Sequence, residues 1–103
     1  MTKELYTIIE QTNEVIQIQL TDKTHSIFLA HFPSNPILPG FLQIDIIAEI
    51  LNDDIREIIS SKFISHICPN DVINYEIKTK EKIKLIKIIK NDKKISEFKY
   101  ETK

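Results

Sequence analysis

The sequence is short of the features that mark secreted and membrane proteins. Cys68 is the only cysteine among 103 residues, so an intrachain disulfide is excluded and nothing indicates an oxidising compartment. No apolar run approaches the roughly 20 residues that span a bilayer. The opening segment, MTKELYTIIEQTNEV, contains no apolar stretch of signal-peptide length. We therefore expect a cytoplasmic location.

An excess of charge of one sign is also missing. The chain has 14 Lys and Arg residues against 15 Asp and Glu residues, for a formal net charge of -1. This balance gives no electrostatic indication of nucleic-acid binding. The lysines after residue 77 alternate with apolar residues, as on the solvent-exposed faces of strands. At this length we expect a single domain over residues 1–103, small enough to gain from sharing apolar surface with a second copy.

Period-two alternation of apolar and polar residues indicates strands over most of the chain. The runs are LYTII, EVIQIQL, EIISSKFISHI, VINYEIKT, KIKLIKIIK and KISEFKY, the last two joined by a turn at Asn91 and Asp92. In KIKLIKIIK both faces carry Ile or Leu, so we expect this strand to be buried on both sides, with a partner subunit as one candidate for the second side.

One segment has the pattern of a helix. Residues 41–51, FLQIDIIAEIL, are apolar on nearly every side of a helix, which is typical of a buried element. A single helix among antiparallel strands predicts an α+β fold in which the sheet wraps around one central helix.

Glycine is nearly absent, and the single one stands at the start of this helix. A chain of this length ordinarily carries about seven glycines, whereas Gly40 is the only one here, and three of the four prolines, Pro33, Pro36 and Pro39, precede it. The prolines stiffen the approach to the helix. Gly40 itself indicates either a close backbone approach or a positive φ, unless it is a simple helix-entry turn.

Two carboxylates share one face of the predicted helix. Asp45 and Glu49 lie four residues apart, hence one turn from each other. An unpaired buried carboxylate costs several kcal/mol, so a helix used only for packing would not carry them on its buried side. Either the pair has a chemical role, or this stripe reaches solvent at an edge. His31 alone is likewise compatible with a structural histidine or with a base.

Taken together, residues 31–45 resemble a known enzyme family. HFPSNPILPG followed by an apolar helix bearing Asp45 is similar to the H-F-P-G-x-P-x-M-P-G hallmark of the hot-dog-fold 3-hydroxyacyl-acyl-carrier-protein dehydratases of fatty acid biosynthesis. A weaker resemblance follows at FISHICPND, where the family has P-G-D and Asn70 replaces the glycine, in a left-handed conformation that Asn tolerates. Glu49 stands where the family usually has Gln.

The resemblance implies an obligate homodimer that dehydrates a 3-hydroxyacyl thioester delivered by acyl carrier protein on its phosphopantetheine arm. His31 would be the base, Asp45 the acid, and the Gly40 N–H the donor to the thioester oxygen, with Ile37 and Phe41 against the substrate. In such relatives, the histidine and the acid that face one substrate come from different subunits. The reaction needs no metal or other cofactor, and the histidines and Cys68 show no metal-ligand spacing.

Glu49 is a possible modulator of this site. A like charge one turn away, together with an apolar pocket, would favour the protonated form of Asp45 that an acid requires, and one carboxyl of the pair would then hold its proton near neutrality. Two other interpretations remain open. One is a thioesterase in which Asp45 or Glu49 activates water, and the other is an acyl-binding or regulatory module without turnover.

Overall fold

The computed structural model describes residues 2–30 and 34–103, and within them it contains six strands and two helices. In chain order these are β1 (Tyr6–Gln11), β2 (Val15–Leu20), α1 (Ser26–Ala30), α2 (Gly40–Leu51), β3 (Ile55–Phe63), β4 (Val72–Lys80), β5 (Ile83–Lys90) and β6 (Lys93–Thr102). All six predicted strands and the predicted helix are confirmed. The five-residue helix α1 is an addition that the alternation did not indicate.

The strands form one antiparallel sheet in the order β1-β2-β4-β5-β6-β3. The β5–β6 hairpin turns at Asn91 and Asp92, whose φ angles of 52° and 63° are those that a tight two-residue hairpin requires. Asn70 has φ 68°, so the left-handed conformation predicted for it is confirmed. The edges of the sheet are therefore β1 and β3.

Helix α2 packs its apolar side into the core formed with one face of the sheet. Strand β2 shows the alternation that builds this core, because Ile16, Ile18 and Leu20 are buried while Gln19 is exposed. In α2 the buried side includes Leu42, Ile46 and Ile47, and each such side chain contributes about 1.5–3 kcal/mol by leaving water. The sheet wrapped around a central helix is thus confirmed.

The prediction that β5 is buried on both faces is wrong for the single chain. Ile86 and Ile88 are fully buried, whereas Ile83, Leu85 and Ile89 are only partly buried on the other side of the strand. That side carries long lysine stems as well, which cover part of the apolar surface without closing it.

Helix α1 is held at its start by His25. The Nδ1 atom of His25 accepts a hydrogen bond from the Ile27 N–H at 3.0 Å, and Nε2 lies 2.8 Å from the Lys3 carbonyl oxygen. His25 therefore has a structural role. Neither α1 nor α2 is long enough to cross a bilayer, and the rest of the described chain contains no other helix.

Candidate active site

The site is built around the first turn of α2. Pro39, with φ −58°, precedes the helix, and its carbonyl accepts hydrogen bonds from the N–H groups of Leu42 and Gln43. The Leu38 N–H donates to the Ile67 carbonyl at 2.7 Å. The Gly40 N–H has no acceptor among the described residues, so the positive end of the helix presents an open donor there.

Gly40 approaches the side chain of Phe63 closely. A Cβ atom placed on Gly40 would lie 2.6 Å from Cε2 and 2.7 Å from Cζ of that ring, which is well inside van der Waals contact. No glycine in the described chain has a positive φ. Of the two reasons offered for this glycine, the close approach is therefore the correct one.

An exposed stripe runs along α2 on the side away from the core. It consists of Phe41, Asp45 and Glu49, spaced four residues apart. Asp45 makes no hydrogen bond or ion pair with any other described residue. The described residues of the chain form no apolar pocket around Asp45, and the alternative that the stripe reaches solvent is the one observed. Phe41 is half exposed, and Ile37 is partly buried just before the helix.

Both oxygens of Glu49 are held by residues near the N-terminus. The Tyr6 hydroxyl donates to Oε1 at 2.7 Å, and the Thr2 hydroxyl donates to Oε2. These bonds, that of Thr2 first, lower the pKa of Glu49 because they stabilise its charged form. The proton that the Asp45–Glu49 pair was expected to hold near neutrality is therefore not on Glu49.

A buried polar cluster lies behind the first turn of the helix. Gln43 and Ser96 are both almost fully buried, and the Ser96 hydroxyl donates to Oε1 of Gln43 at 2.7 Å. The Tyr75 hydroxyl donates to the Gln43 carbonyl at 2.8 Å. Our sequence reasoning missed this cluster, although a glutamine within the apolar side of a buried helix is a visible signal.

His31, the predicted base, lies outside the described residues, as do Phe32 and Pro33. Its role stays a prediction from the sequence. Of the other predicted site residues, Ile37 precedes α2, Gly40 and Phe41 lie in its first turn, and Asp45 and Glu49 follow on the exposed stripe.

Large apolar side chains are exposed along β3 and just beyond it. Ile58, Ile59, Phe63 and Ile64 are 43–52% exposed, and among the described strands β3 pairs only with β6. A long apolar edge strand is unusual on an isolated domain, because its unpaired backbone N–H and C=O groups can form hydrogen bonds with a strand of another chain.

Solved structures resemble this arrangement over nearly its whole length. The dehydratase heterocomplex ApeI:P from Xenorhabdus doucetiae matches with a TM-score of 0.78 at 24% identity, covering 93% of this chain and 96% of that one. An uncharacterized protein from Erwinia carotovora subsp. atroseptica gives 0.65 at 21%, covering 96% of both chains. Thioesterase superfamily member 2 from Mus musculus gives 0.63 at 14%, covering 96% of this chain and 81% of that one. These likenesses show the fold, which is the expected hot-dog fold.

The family comes from a separate comparison. No curated protein sequence matches the chain significantly. The model of the ApeI-like family, described as the ApeI dehydratase, matches residues 8–100, which include β2 to β5, both helices and all but the outer ends of β1 and β6. The chain therefore belongs to the ApeI-like family of hot-dog dehydratases.

Proposed function

We propose that this protein dehydrates a 3-hydroxyacyl thioester carried on acyl carrier protein, giving the trans-2-enoyl thioester and water. His31 removes the α-proton, Asp45 protonates the departing 3-hydroxyl group, and the thioester bond stays intact. The proton gained by His31 and the proton lost by Asp45 are exchanged with solvent before the next turnover. The observation that carries this proposal is the open Gly40 N–H at the start of a helix that presents an unpaired carboxyl group just over one turn later.

The Gly40 N–H supplies the stabilisation that proton removal requires. Loss of the α-proton places negative charge on the thioester oxygen, and a backbone donor at a helix N-terminus is directed at such a charge without reorganisation. Single donors of this kind typically contribute about 10²- to 10³-fold in rate. Phe63 fills the space beside Gly40, so the thioester approaches along the side of the helix start that the ring leaves open.

The position of Asp45 on α2 suits it to the acid role, whereas the burial that we expected for this residue is not observed in the described chain. It lies on the exposed stripe of α2, one turn from Phe41 and one turn from the ionised Glu49. The described residues place no apolar wall over Asp45, and a second subunit is the source that we propose for it.

We propose a homodimer formed along β3, in which a second copy supplies that wall and each site combines residues of both subunits. The exposed apolar side chains of β3 and its unpaired edge support this interface. Phe63 links the two features, because it ends β3 and also covers Gly40. The resemblance noted above, in which histidine and acid come from different subunits, fits the same arrangement.

Two matched variants test the interface. Ile59→Lys places a charge on β3, and Ile9→Lys places the same charge on β1 at the opposite edge, at positions that are 47% and 52% exposed. We expect light scattering at micromolar concentration to give a dimer for the wild type and for Ile9→Lys, and a monomer for Ile59→Lys. A monomeric wild type, or a dimer disrupted only by Ile9→Lys, would contradict the proposal. If the wild type is monomeric alone but pairs with a different hot-dog chain, the edge serves a heterocomplex instead.

The reaction itself is tested with a 3-hydroxyacyl thioester of acyl carrier protein. Enoyl absorbance reports dehydration, release of thiol reports a thioesterase, and binding without either product reports an acyl-binding module. We expect enoyl formation by the wild type, and losses of about 10²- to 10⁴-fold for His31→Ala and for Asp45→Asn, as is typical for general acid-base groups. Near wild-type turnover of either variant would remove that residue from its role.

A further inference from the structure

The hydrogen bond between Gln43 and Ser96 places two polar side chains in a small apolar core, which costs free energy of desolvation. Gln43 is 3% exposed and Ser96 is 0% exposed. Their 2.7 Å hydrogen bond offsets only part of the free energy that desolvation of these groups costs. A pair of apolar side chains of similar shape would be at least as stable there. Packing alone therefore does not account for a glutamine at this position.

The other end of the Gln43 side chain reaches the segment before the helix. Its Nε2 atom lies 3.5 Å from the Leu38 carbonyl oxygen and donates to it. The Leu38 N–H is already held by the Ile67 carbonyl. Both polar groups of the Leu38 backbone are thus fixed, one to the loop after β3 and one, through Gln43, to Ser96 of β6.

The hydrogen bonds of the Leu38 backbone restrict the orientation of the peptide groups that follow, up to the Gly40 N–H. Pro39 follows Leu38 and has a restricted φ, and its carbonyl, which shares a peptide plane with the Gly40 N–H, accepts a hydrogen bond from the Gln43 N–H. Little freedom therefore remains between the Leu38 carbonyl and the Gly40 N–H. The Tyr75 hydroxyl holds the Gln43 carbonyl and so fixes the same helical turn from β4. The cluster therefore ties the start of α2 to β4 and to β6.

We infer that Gln43 is a positioning residue that holds the Leu38–Gly40 backbone so that the Gly40 N–H keeps one direction. The catalytic consequence rests on the proposed function, in which that N–H stabilises charge on the thioester oxygen. Such a donor is effective only when it is preorganised, because a donor that must reorient during the reaction gives up much of its benefit. Gln43 touches no reacting atom in this role.

The decisive variant replaces both buried polar groups. Gln43→Leu alone leaves the Ser96 hydroxyl unpaired and is expected to lower the melting temperature, whereas Gln43→Leu with Ser96→Ala removes both partners and restores it. We expect the double variant to lose about tenfold or more in kcat, while KM stays within about twofold, because the lost interaction acts on the transition state. A double variant that regains both stability and kcat would show that the pair is only structural.

A second readout does not depend on activity. Gly40 is the only glycine, so protein labelled with ¹⁵N-glycine gives one amide peak, which reports the proposed donor directly. We expect one narrow peak for the wild type, and a broadened or split peak for the double variant because the Leu38–Gly40 backbone samples several orientations. A peak as narrow as in the wild type would overturn the inference. If the wild type has no turnover, the proposed function fails while this measurement still decides on Gln43.

Two further variants complete the test. Tyr100→Phe is the matched control, because it removes another hydroxyl group of the core, one that bonds to Asp53 beyond the far end of α2, and it should leave the glycine peak and kcat unchanged. Gln43→Met with Ser96→Ala repeats the double replacement with an unbranched side chain of similar length, which adapts to its surroundings if leucine does not fit. Equal broadening in Tyr100→Phe would mean that any loss of core stability disturbs Gly40, and would also overturn the inference.

Discussion

The ring of Phe63 occupies the space in which any residue other than glycine at position 40 would place its Cβ atom, with Cε2 only 2.6 Å from that point. Phe63 ends strand β3 and Gly40 begins helix α2, so this contact sets how closely the helix start approaches the edge strand. It explains why the one glycine of the chain is found here.

A double-mutant cycle tests this relationship. With Phe63 present, Gly40→Ala forces the ring outward and is expected to destabilise the protein by about 1 kcal/mol, the low end for overpacking, because the ring is partly exposed and has room to move. With Phe63→Ala, the same change should stabilise by about 0.4–1 kcal/mol, since alanine restricts the unfolded chain. Urea unfolding of the four proteins gives the coupling free energy. Equal effects of Gly40→Ala in both backgrounds would show that the ring does not constrain this position.

Burial distinguishes two ion pairs that look similar in the sequence. Lys84 lies 2.7 Å from both oxygens of Asp53, and their side chains are 17% and 11% exposed. Lys94 lies 3.3 Å from Glu97, with 41% and 34% exposure. Lys84→Met should cost about 2–3 kcal/mol, because it leaves a partly buried carboxylate without its cation. Lys94→Met should cost less than about 1 kcal/mol. Similar unfolding free energies for the two variants would contradict this ranking.

The strands and the helix whose apolar residues follow a regular period were predictable from sequence. Strand β2 and helix α2 were found because Ile16, Ile18 and Leu20 alternate with glutamines, and because residues 41–51 are apolar on nearly every side. Local periodicity gives such elements directly. The turn at Asn91 and Asp92 was found for the same reason, since its conformation depends on the residues within it.

The features that the sequence patterns did not predict depend on which strands become neighbours. β5 has more apolar side chains than β3, yet β5 lies within the sheet and β3 at its edge, a difference that composition alone does not show. The Ser96–Gln43 bond joins residues 53 positions apart, and the Tyr6–Glu49 bond joins residues 43 apart. Pairs of this kind follow from tertiary structure and have no local pattern.

The tyrosines should resist ionisation until the protein unfolds. Burial is the main cause that raises the pKa of Tyr6, Tyr75 and Tyr100, and these are the only tyrosines of the chain. A raised pKa disfavours the phenolate in the folded state, so the contribution of the tyrosines to stability should be constant below about pH 10, the unfolded value, and fall above it. We expect phenolate absorbance and loss of circular dichroism to share one midpoint in an alkaline titration. Phenolate appearing while the fold persists would contradict this.

Glu49 should stabilise the fold in a pH-dependent way. Its hydrogen bonds from Thr2 and Tyr6 lower its pKa below the ordinary 4.5. This contribution is therefore complete above about pH 5 and is lost as the pH falls through the folded pKa. Glu49→Gln keeps one oxygen and loses the charge, so its melting temperature should be lower than that of the wild type at pH 7 and should converge with it in acid. A constant difference across this range would show that the charge of Glu49 is not what binds Thr2 and Tyr6.

The same variant tests whether the charge of Glu49 acts on the proposed acid. Glu49 keeps its charge at neutral pH, because its hydrogen bonds lower its pKa, and it lies one turn from Asp45 on the exposed stripe of α2. If this charge acts on the proposed acid, its removal in Glu49→Gln should displace the kcat profile along the pH axis and reduce turnover at pH 7. Tyr6→Phe is the matched control, because it removes a hydrogen bond to Glu49 but keeps the charge, so its profile should follow that of the wild type. Superimposable profiles for Glu49→Gln and the wild type would show that Glu49 only fastens the N-terminal segment to α2.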